Sequence, residues 1–489
     1  MLPTRHSFIV PALCLAALSA LPSGADAQSS STITWSSQVP AAVSEFKAGW
    51  VDAENVFNPS AAEHFKKASD LDPSFGIARV MSAGFSASLS AADQTAEMNR
   101  GVADAAKAGT AELLLAMAWR ARGEGRFAEA RTLFGAASQL LPDDKYLAFN
   151  AATTGVTVSS DAAEASRKLV AQFPDYSGGY NTLAYNLWAV NDSAGALQAA
   201  KRQIELAPKN PNAYDSHAEI LAWSGNLTEA EKQYRQAVTT EPRFTEGLAG
   251  LAEVQALQGR GTAARETLAK AAAAAWSPSE RILRKREMAG TYIFEGNYRA
   301  AIDQLKAAET DAKTSQITGP LGNIHSHIAI LESLLGNAAP AHAALAQSAS
   351  ATLPGPFGTL NRHLFAVYAH ANLGHWDAAK TSLAAARSAA SASTPNAPAA
   401  ITLAEGYLAL KEGRANEAMT AFATADPANV VASAWLGQAH LAAGHAAMAT
   451  PLQKRFADNR QISFTDIQWL TTKSPPRGGR AAQPRRARR

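Results

Sequence analysis

Residues 180–213, YNTLAYNLWAVNDSAGALQAAKRQIELAPKNPNA, and residues 214–247, YDSHAEILAWSGNLTEAEKQYRQAVTTEPRFTEG, decide the fold when one is laid above the other. Tyr180, Leu183, Ala184, Leu187, Ala196 and Pro208 return 34 residues later as Tyr214, His217, Ala218, Leu221, Ala230 and Pro242. A fixed period of that length means stacked copies of one supersecondary unit. Within a unit the spacing is helical. Tyr214, His217, Ala218 and Leu221 share one face of a first helix, Gly225-Asn226 makes a turn, and Ala230, Tyr234 and Ala237 line a second helix that ends before Pro242. Each unit is therefore a helical hairpin.

The same frame runs in both directions. Upstream, Glu45, Ala48, Gly49, Ala61, Phe65, Ala68 and Pro73 mark an early unit, residues 74–110 a degenerate one, and Leu114, Ala118, Gly125, Phe127, Ala130, Phe134 and Pro142 a clear one. Downstream, Gly259, Gly296, Gly336, Gly374, Gly413 and Gly444 each fall at the turn position between two apolar-periodic segments. The order of large, leucine, small, aromatic, alanine, aromatic, alanine and proline positions resembles the tetratricopeptide repeat (TPR). That resemblance implies an all-α fold, a right-handed superhelical solenoid of roughly twelve hairpins over residues 40–458. The Trp276-Ser277-Pro278 interruption divides the expected array into 41–275 and 276–458, and loop-like stretches at Pro354-Gly355-Pro356 and at Ser391–Pro395 are expected to lengthen inter-repeat connections.

Composition agrees with this reading. The chain has 489 residues, 47% hydrophobic and 18% charged, with a net charge of +3 and only 7% aromatics, while alanine makes up about a fifth. Methyl side chains allow helices to approach closely while keeping high helix propensity, which disfavours an all-β chain. One cysteine, Cys14, excludes a disulfide framework and a multi-cysteine metal site. Arg5 and His6 followed by an apolar run from Phe8 to Leu21, and then Ala25-Asp26-Ala27, read as a Sec signal peptide over residues 1–27, giving a periplasmic or secreted protein with a short leader, 28–40. No mature transmembrane segment is expected.

No phosphate loop, H-E-x-x-H or G-x-S-x-G motif is present, so a non-enzymatic protein without cofactor is expected. His325 and His327 are two apart and diverge by about 200° on a helix, so they cannot share a ligand. His363 and His370 share a face and could approach His375 or His440, yet both fall at packing positions of the repeat, and no metal site is expected.

In TPR arrays the first helix of each hairpin lines an inner groove that receives a peptide or partner helix. The resemblance places Trp119 and Arg122; Asn181, Tyr185 and Trp188; Asp215, Glu219 and Trp223; and Glu246 and Glu253 on that face, with Arg286, Tyr368 and Tyr407 further on. The result is a groove with aromatic anchors and an acidic middle, suited to a basic or amide-rich partner segment. The family's paired carboxylate-clamping basic residues are not repeated. Residues 459–489 read as a disordered basic tail, whose Lys473, Arg477, Arg480, Arg485, Arg486, Arg488 and Arg489 could meet an anionic surface. No aromatics are interleaved with them, which disfavours specific nucleic-acid binding. The function expected is an exported scaffold holding a protein or peptide in its groove, within a cell-envelope assembly. The alternative is a periplasmic accessory of polysaccharide synthesis or export that binds a glycan there.

Overall fold

The computed structural model describes residues 32–458 apart from 87–88, 156–158, 352–354, 391–396 and 426–428. The proposed signal peptide and basic tail lie outside the described residues, as do Pro354 of the first expected loop-like stretch and all of the second, Ser391–Pro395. Among the described residues there are twenty-four α-helices and no strand, and successive helices pair as twelve hairpins.

The first four hairpins are α1 (Pro40–Glu54) with α2 (Asn58–Leu71), α3 (Gly76–Phe85) with α4 (Ala91–Ala105), α5 (Thr110–Gly123) with α6 (Phe127–Leu140), and α7 (Lys145–Thr153) with α8 (Ser159–Gln172). The middle four are α9 (Ser177–Ala189) with α10 (Ser193–Leu206), α11 (Pro211–Trp223) with α12 (Leu227–Thr240), α13 (Thr245–Leu257) with α14 (Gly261–Ala274), and α15 (Pro278–Phe294) with α16 (Tyr298–Thr314). The last four are α17 (Leu321–Leu334) with α18 (Ala338–Ser350), α19 (Gly355–Asn372) with α20 (Trp376–Ala389), α21 (Ala397–Lys411) with α22 (Ala415–Ala423), and α23 (Val430–Ala442) with α24 (Ala446–Asp458). This is an all-α solenoid of TPR type.

Apart from hairpin 2, every hairpin turns on a residue in the left-handed region. Nine glycines serve, from Gly125 (φ 75°) to Gly444 (φ 81°), and Asn191 (φ 63°) and Val56 (φ 61°) take the same place in hairpins 5 and 1. Glycine has no Cβ to clash there, whereas a branched residue such as Val56 is held at a cost of about 1–2 kcal/mol. The residue after the turn often caps the second helix, as when the Asn226 side chain accepts from the Glu229 amide at 3.3 Å.

The small positions are where rings seat. A side chain at Gly250 would overlap the Tyr234 ring, and one at Gly406 would come within 2.6 Å of Phe422. The aromatic of a second helix thus seats against the small residue of a first helix, and the methyl or hydrogen there sets the approach distance. First helices also touch the first helices of neighbouring hairpins, as α9 does α11, α11 does α13, α13 does α15 and α19 does α21. Second helices make no comparable contact with one another. Elements on the inside of a curve lie closer together, so the first helices form the inner layer. Hairpins 7 and 8, on either side of Trp276, pack through α14 and α15.

The front of the array folds back on itself. Residues 32–39 lie along hairpins 1 to 3, with Trp35 4.8 Å from Phe46 ring to ring and Ser36 donating through its amide and hydroxyl to the buried Glu112 at 2.7 and 2.8 Å. Trp50 of α1 stands edge-on to Trp119 of α5 (5.9 Å) and Tyr146 of α7 (5.6 Å). Beyond it the α1–α2 turn meets the leading ends of later first helices. Tyr176 donates its hydroxyl to Glu54, Asn210 donates to the Asn55 side chain at 2.6 Å, and the Arg243 guanidinium lies 5.7 Å from the Phe57 ring centre.

This closure has a pH dependence. Burial pushes the Glu54 carboxyl up to about 7, against the opposing pull of the Tyr176 hydroxyl and of Lys145. The folded chain therefore holds a proton that the unfolded chain releases, and the associated stability is full below pH 4.5 and is lost as pH rises through about 7. Glu54→Gln should remove this dependence, leaving the variant more stable than the parent at pH 8 by at most about 3 kcal/mol and equal to it at pH 4. Denaturant titrations of both proteins at the two pH values check this, and a constant difference at both would refute it.

Candidate functional site

The inner faces of α9, α11, α13 and α15 carry a connected group of polar and aromatic side chains. The 34-residue period places equivalent positions of successive hairpins side by side, so side chains remote in sequence become neighbours. Tyr185 of α9 donates its hydroxyl to Oε2 of Glu219 on α11 at 2.6 Å. The Tyr185 ring stands edge-on to Trp223 at 5.8 Å, and Trp188 lies 5.6 Å from the same indole. Asn181 sits one turn away with a buried, unbonded Oδ1.

Beside this aromatic group the carboxylates gather. Asp215 and Glu219 come from α11, Glu246 and Glu253 from α13, and Glu280 and Glu287 from α15. Burial raises the Asp215 carboxyl well above the ordinary range, and Glu219 and Glu246 push it further. Glu253 is raised in the same way by burial and then by Glu287, Glu219 and Asp215. The Glu219, Glu246 and Glu287 carboxyls also shift upward, burial being the largest cause for each.

Two arginines oppose them. Arg284 is buried with its guanidinium 3.0 Å from Glu287, 3.6 Å from Glu280 and 3.8 Å from Glu246. Its Nε has no hydrogen-bond partner. Arg286 stands near Glu287, and burial lowers its pKa. Six carboxyls against two guanidiniums leave an excess of acidic groups, whose ionisation burial disfavours, in a partly desolvated concavity where interactions are stronger than in bulk water. The phenols of Tyr185 and Tyr234 respond to the same field, both pushed well upward, by burial first and the carboxylates second.

The structure divides the residues expected along the groove into two groups. Asn181, Tyr185, Trp188, Asp215, Glu219, Trp223 and Glu253 come together on hairpins 5 to 7. Trp119 and Arg122 stand apart on hairpin 3, where Trp119 is edge-on to Trp50 and Phe134 and the Arg122 guanidinium lies 5.0 Å from the indole centre. Tyr368 and Tyr407 depart from the expected inner surface. They are 2% and 0% exposed, edge-on to each other at 5.1 Å, and packed on Trp435, because the small residues of hairpins 10 to 12 leave room that these rings fill. His325 and His327 diverge as their spacing requires. His325 meets Glu309 at 3.0 Å, while His327 lies against Phe365 and burial holds it neutral, with a pKa lowered to about 3.

Arg284, Glu280 and Glu287 complete the cluster and were not legible beforehand. The departure of α15 from the strict 34-residue spacing after Trp276 obscured which of its residues face inward, although the run RILRKRE at 281–287 carried the charge signal.

No protein-family model matches this chain, and no curated protein does. Among solved structures, it is similar to a thermophilic TPR protein of Thermus thermophilus, with 25% identity over 36% of this chain and 96% of that one and a TM-score of 0.33. It is also similar to a tetratricopeptide repeat protein of Parabacteroides merdae (15% identity, 55% of this chain and 93% of that one, TM-score 0.34). A third is YrrB, described as a TPR protein with an unusual peptide-binding site (18% identity, 44% of this chain and 93% of that one, TM-score 0.25). These superpositions are loose, and the fold class rests on the chain's own geometry. Twelve helical hairpins, eleven of them turning on left-handed residues, stack through their first helices and define a tetratricopeptide-type array.

Proposed function

We propose that this protein is an exported, non-enzymatic scaffold that holds a basic or amide-rich segment of a partner protein against the inner face of hairpins 5 to 8. The observation that carries the reading is the convergence of Asp215, Glu219, Glu246, Glu253, Glu280 and Glu287 on one face with only Arg284 and Arg286 to oppose them. A cluster of this kind destabilises its own fold, so it is accounted for by what it binds. A lysine, arginine or asparagine-rich segment would restore the ionised state of the carboxyls and complete their hydrogen bonds. Tyr185, Trp188 and Trp223 border the cluster and supply apolar area for the stems of such side chains.

Glycan binding on the same face is less well supported, since the three rings pack against one another instead of standing as open platforms. Export rests on the sequence of residues 1–27. Photo-crosslinking tests the assignment. A crosslinker at Trp188 should capture a discrete partner in the native envelope, and one at Lys232, exposed on the outer helix α12, should not. Equal capture from both positions would remove the inner face as the binding surface.

A further inference from the structure

A second cluster, remote from the acidic face, lies where hairpins 9 and 10 meet. His342 projects from α18, His370 stands near the end of α19, and His375 follows the left-handed Gly374 (φ 71°) and precedes α20. The Nε2 of His342 lies 3.0 Å from Nδ1 of His375, and each ring offers a nitrogen such that all three lie within 4.8 Å of one another. The ring centres of His342 and His370 are 5.5 Å apart, and those of His342 and His375 are 4.9 Å apart. No carboxylate belongs to the group. Three imidazoles this close cannot all carry charge. The three side chains bring ring nitrogens from two hairpins to one place. The Nδ1 of His370 is also buried without a partner.

Neutral nitrogen donors suit late first-row divalent ions and are poor ligands for magnesium or calcium, which take oxygen. Zinc binds imidazole nitrogen at about 2.0–2.1 Å, which in tetrahedral geometry sets the nitrogens about 3.3 Å from one another. The His342–His375 pair is already at 3.0 Å. The His342–His370 and His370–His375 separations close by side-chain rotation of His342, which is exposed, and of His370 and His375, which are half-buried and have ring centres 6.3 Å apart. The exposure of His342 also leaves the fourth coordination position open to solvent.

We infer that His342, His370 and His375 form a three-histidine site for a divalent zinc-type ion, which ties hairpin 9 to hairpin 10. The sequence reading paired His363 with His370, admitted His375 only as a neighbour, and expected no metal site; the structure leaves His363 out of the group. The third ligand, on the preceding second helix, escaped notice because it lies 28 residues upstream of His370 in another unit.

The array contains its own control. His440 and His445 repeat the spacing of His370 and His375 seventy residues on, with ring centres 5.8 Å apart. The residue that holds the place of His342 in hairpin 11, six after the turn Gly413 and inside the second helix, is Met419, which offers no ring nitrogen. The later pair therefore lacks the third imidazole.

Titration of the full chain with Zn²⁺ against a chromophoric chelator tests the site. One ion per chain is expected, with a dissociation constant below about 10 μM, weakened at least tenfold or so by His342→Gln and by His370→Gln and unchanged by His440→Gln. Zn²⁺ should raise the melting temperature of the parent and not of His342→Gln, whose exposed position leaves the fold intact by circular dichroism. Co²⁺ should give the intense visible absorption of a four-coordinate centre. No stoichiometric binding, or binding that survives both His342→Gln and His370→Gln, would overturn the assignment.

Discussion

The double variant Asp215→Asn/Glu253→Gln should be more stable than the parent at pH 8, by about 1–3 kcal/mol, while losing the capacity to bind a cationic peptide. Both carboxyls are held above their ordinary pKa, first by burial and then by neighbouring carboxylates, Glu219 and Glu246 for Asp215 and Glu287, Glu219 and Asp215 for Glu253. The folded protein therefore retains protons that the unfolded chain gives up, and this stabilisation is complete below the ordinary carboxylate range and is lost as pH rises through the elevated values. At pH 8 the parent bears a cost that the amides do not, either by retaining protons the unfolded chain has released or by burying ionised carboxylates. At pH 4 the two proteins should converge. Denaturant titrations at both pH values measure the difference. A variant less stable than the parent at pH 8 would mean that Arg284 and the hydrogen bonds around it outweigh the repulsion, and the acidic face would then be structural.

Tyr234→Ala should cost about 3–5 kcal/mol, the largest loss expected from a single substitution in the middle of the array. The ring is 3% exposed and lies on Gly250, so its removal opens a cavity between α12 and α13 that the backbone cannot fill without moving two hairpins. Because each unit contacts mainly its neighbours, the loss should appear first as loosening of hairpins 6 and 7, with stronger hydrogen exchange there than at hairpins 1 and 12. Tyr234→Phe separates packing from polarity, and it should retain nearly all the stability, since the ring and not the hydroxyl fills the gap. Uniform exchange along the chain after Tyr234→Ala would show that the array unfolds as one cooperative body.

The hairpins were legible because each rests on local chemistry. The glycines at 125, 225, 259, 296, 336, 374, 413 and 444 mark turns that need positive φ, and the structure puts a turn at each. The acidic face was partly legible for a related reason, since Tyr185 and Glu219 are 34 residues apart and a strict repeat places them together. What escaped depends on accumulated curvature. Trp119 reads as an inner-surface residue from its place in the repeat, yet Trp50 covers it because the front of the array bends enough to bring hairpin 1 against hairpin 3. The contact of Glu54 with Tyr176 spans 122 residues and is set by the summed tilt of several hairpins, to which no single residue testifies. Tyr368 and Tyr407 show the complementary effect. Repeat position selects a face of a helix, but the size of neighbouring residues decides whether that face is covered.

Binding at the acidic face must be coupled to protons, and this is open to direct measurement. Isothermal titration of the protein with a ten-residue lysine and arginine peptide, in two buffers of different ionisation enthalpy, gives affinity and proton release together. The expected result is binding that tightens from pH 6 to pH 8, weakens with salt, releases protons as Asp215 and Glu253 ionise, and disappears in Asp215→Asn/Glu253→Gln. Binding that is equally tight for an acidic peptide of the same length, or that persists unchanged in the double variant, would contradict the assignment of the inner face of hairpins 5 to 8 as the partner site.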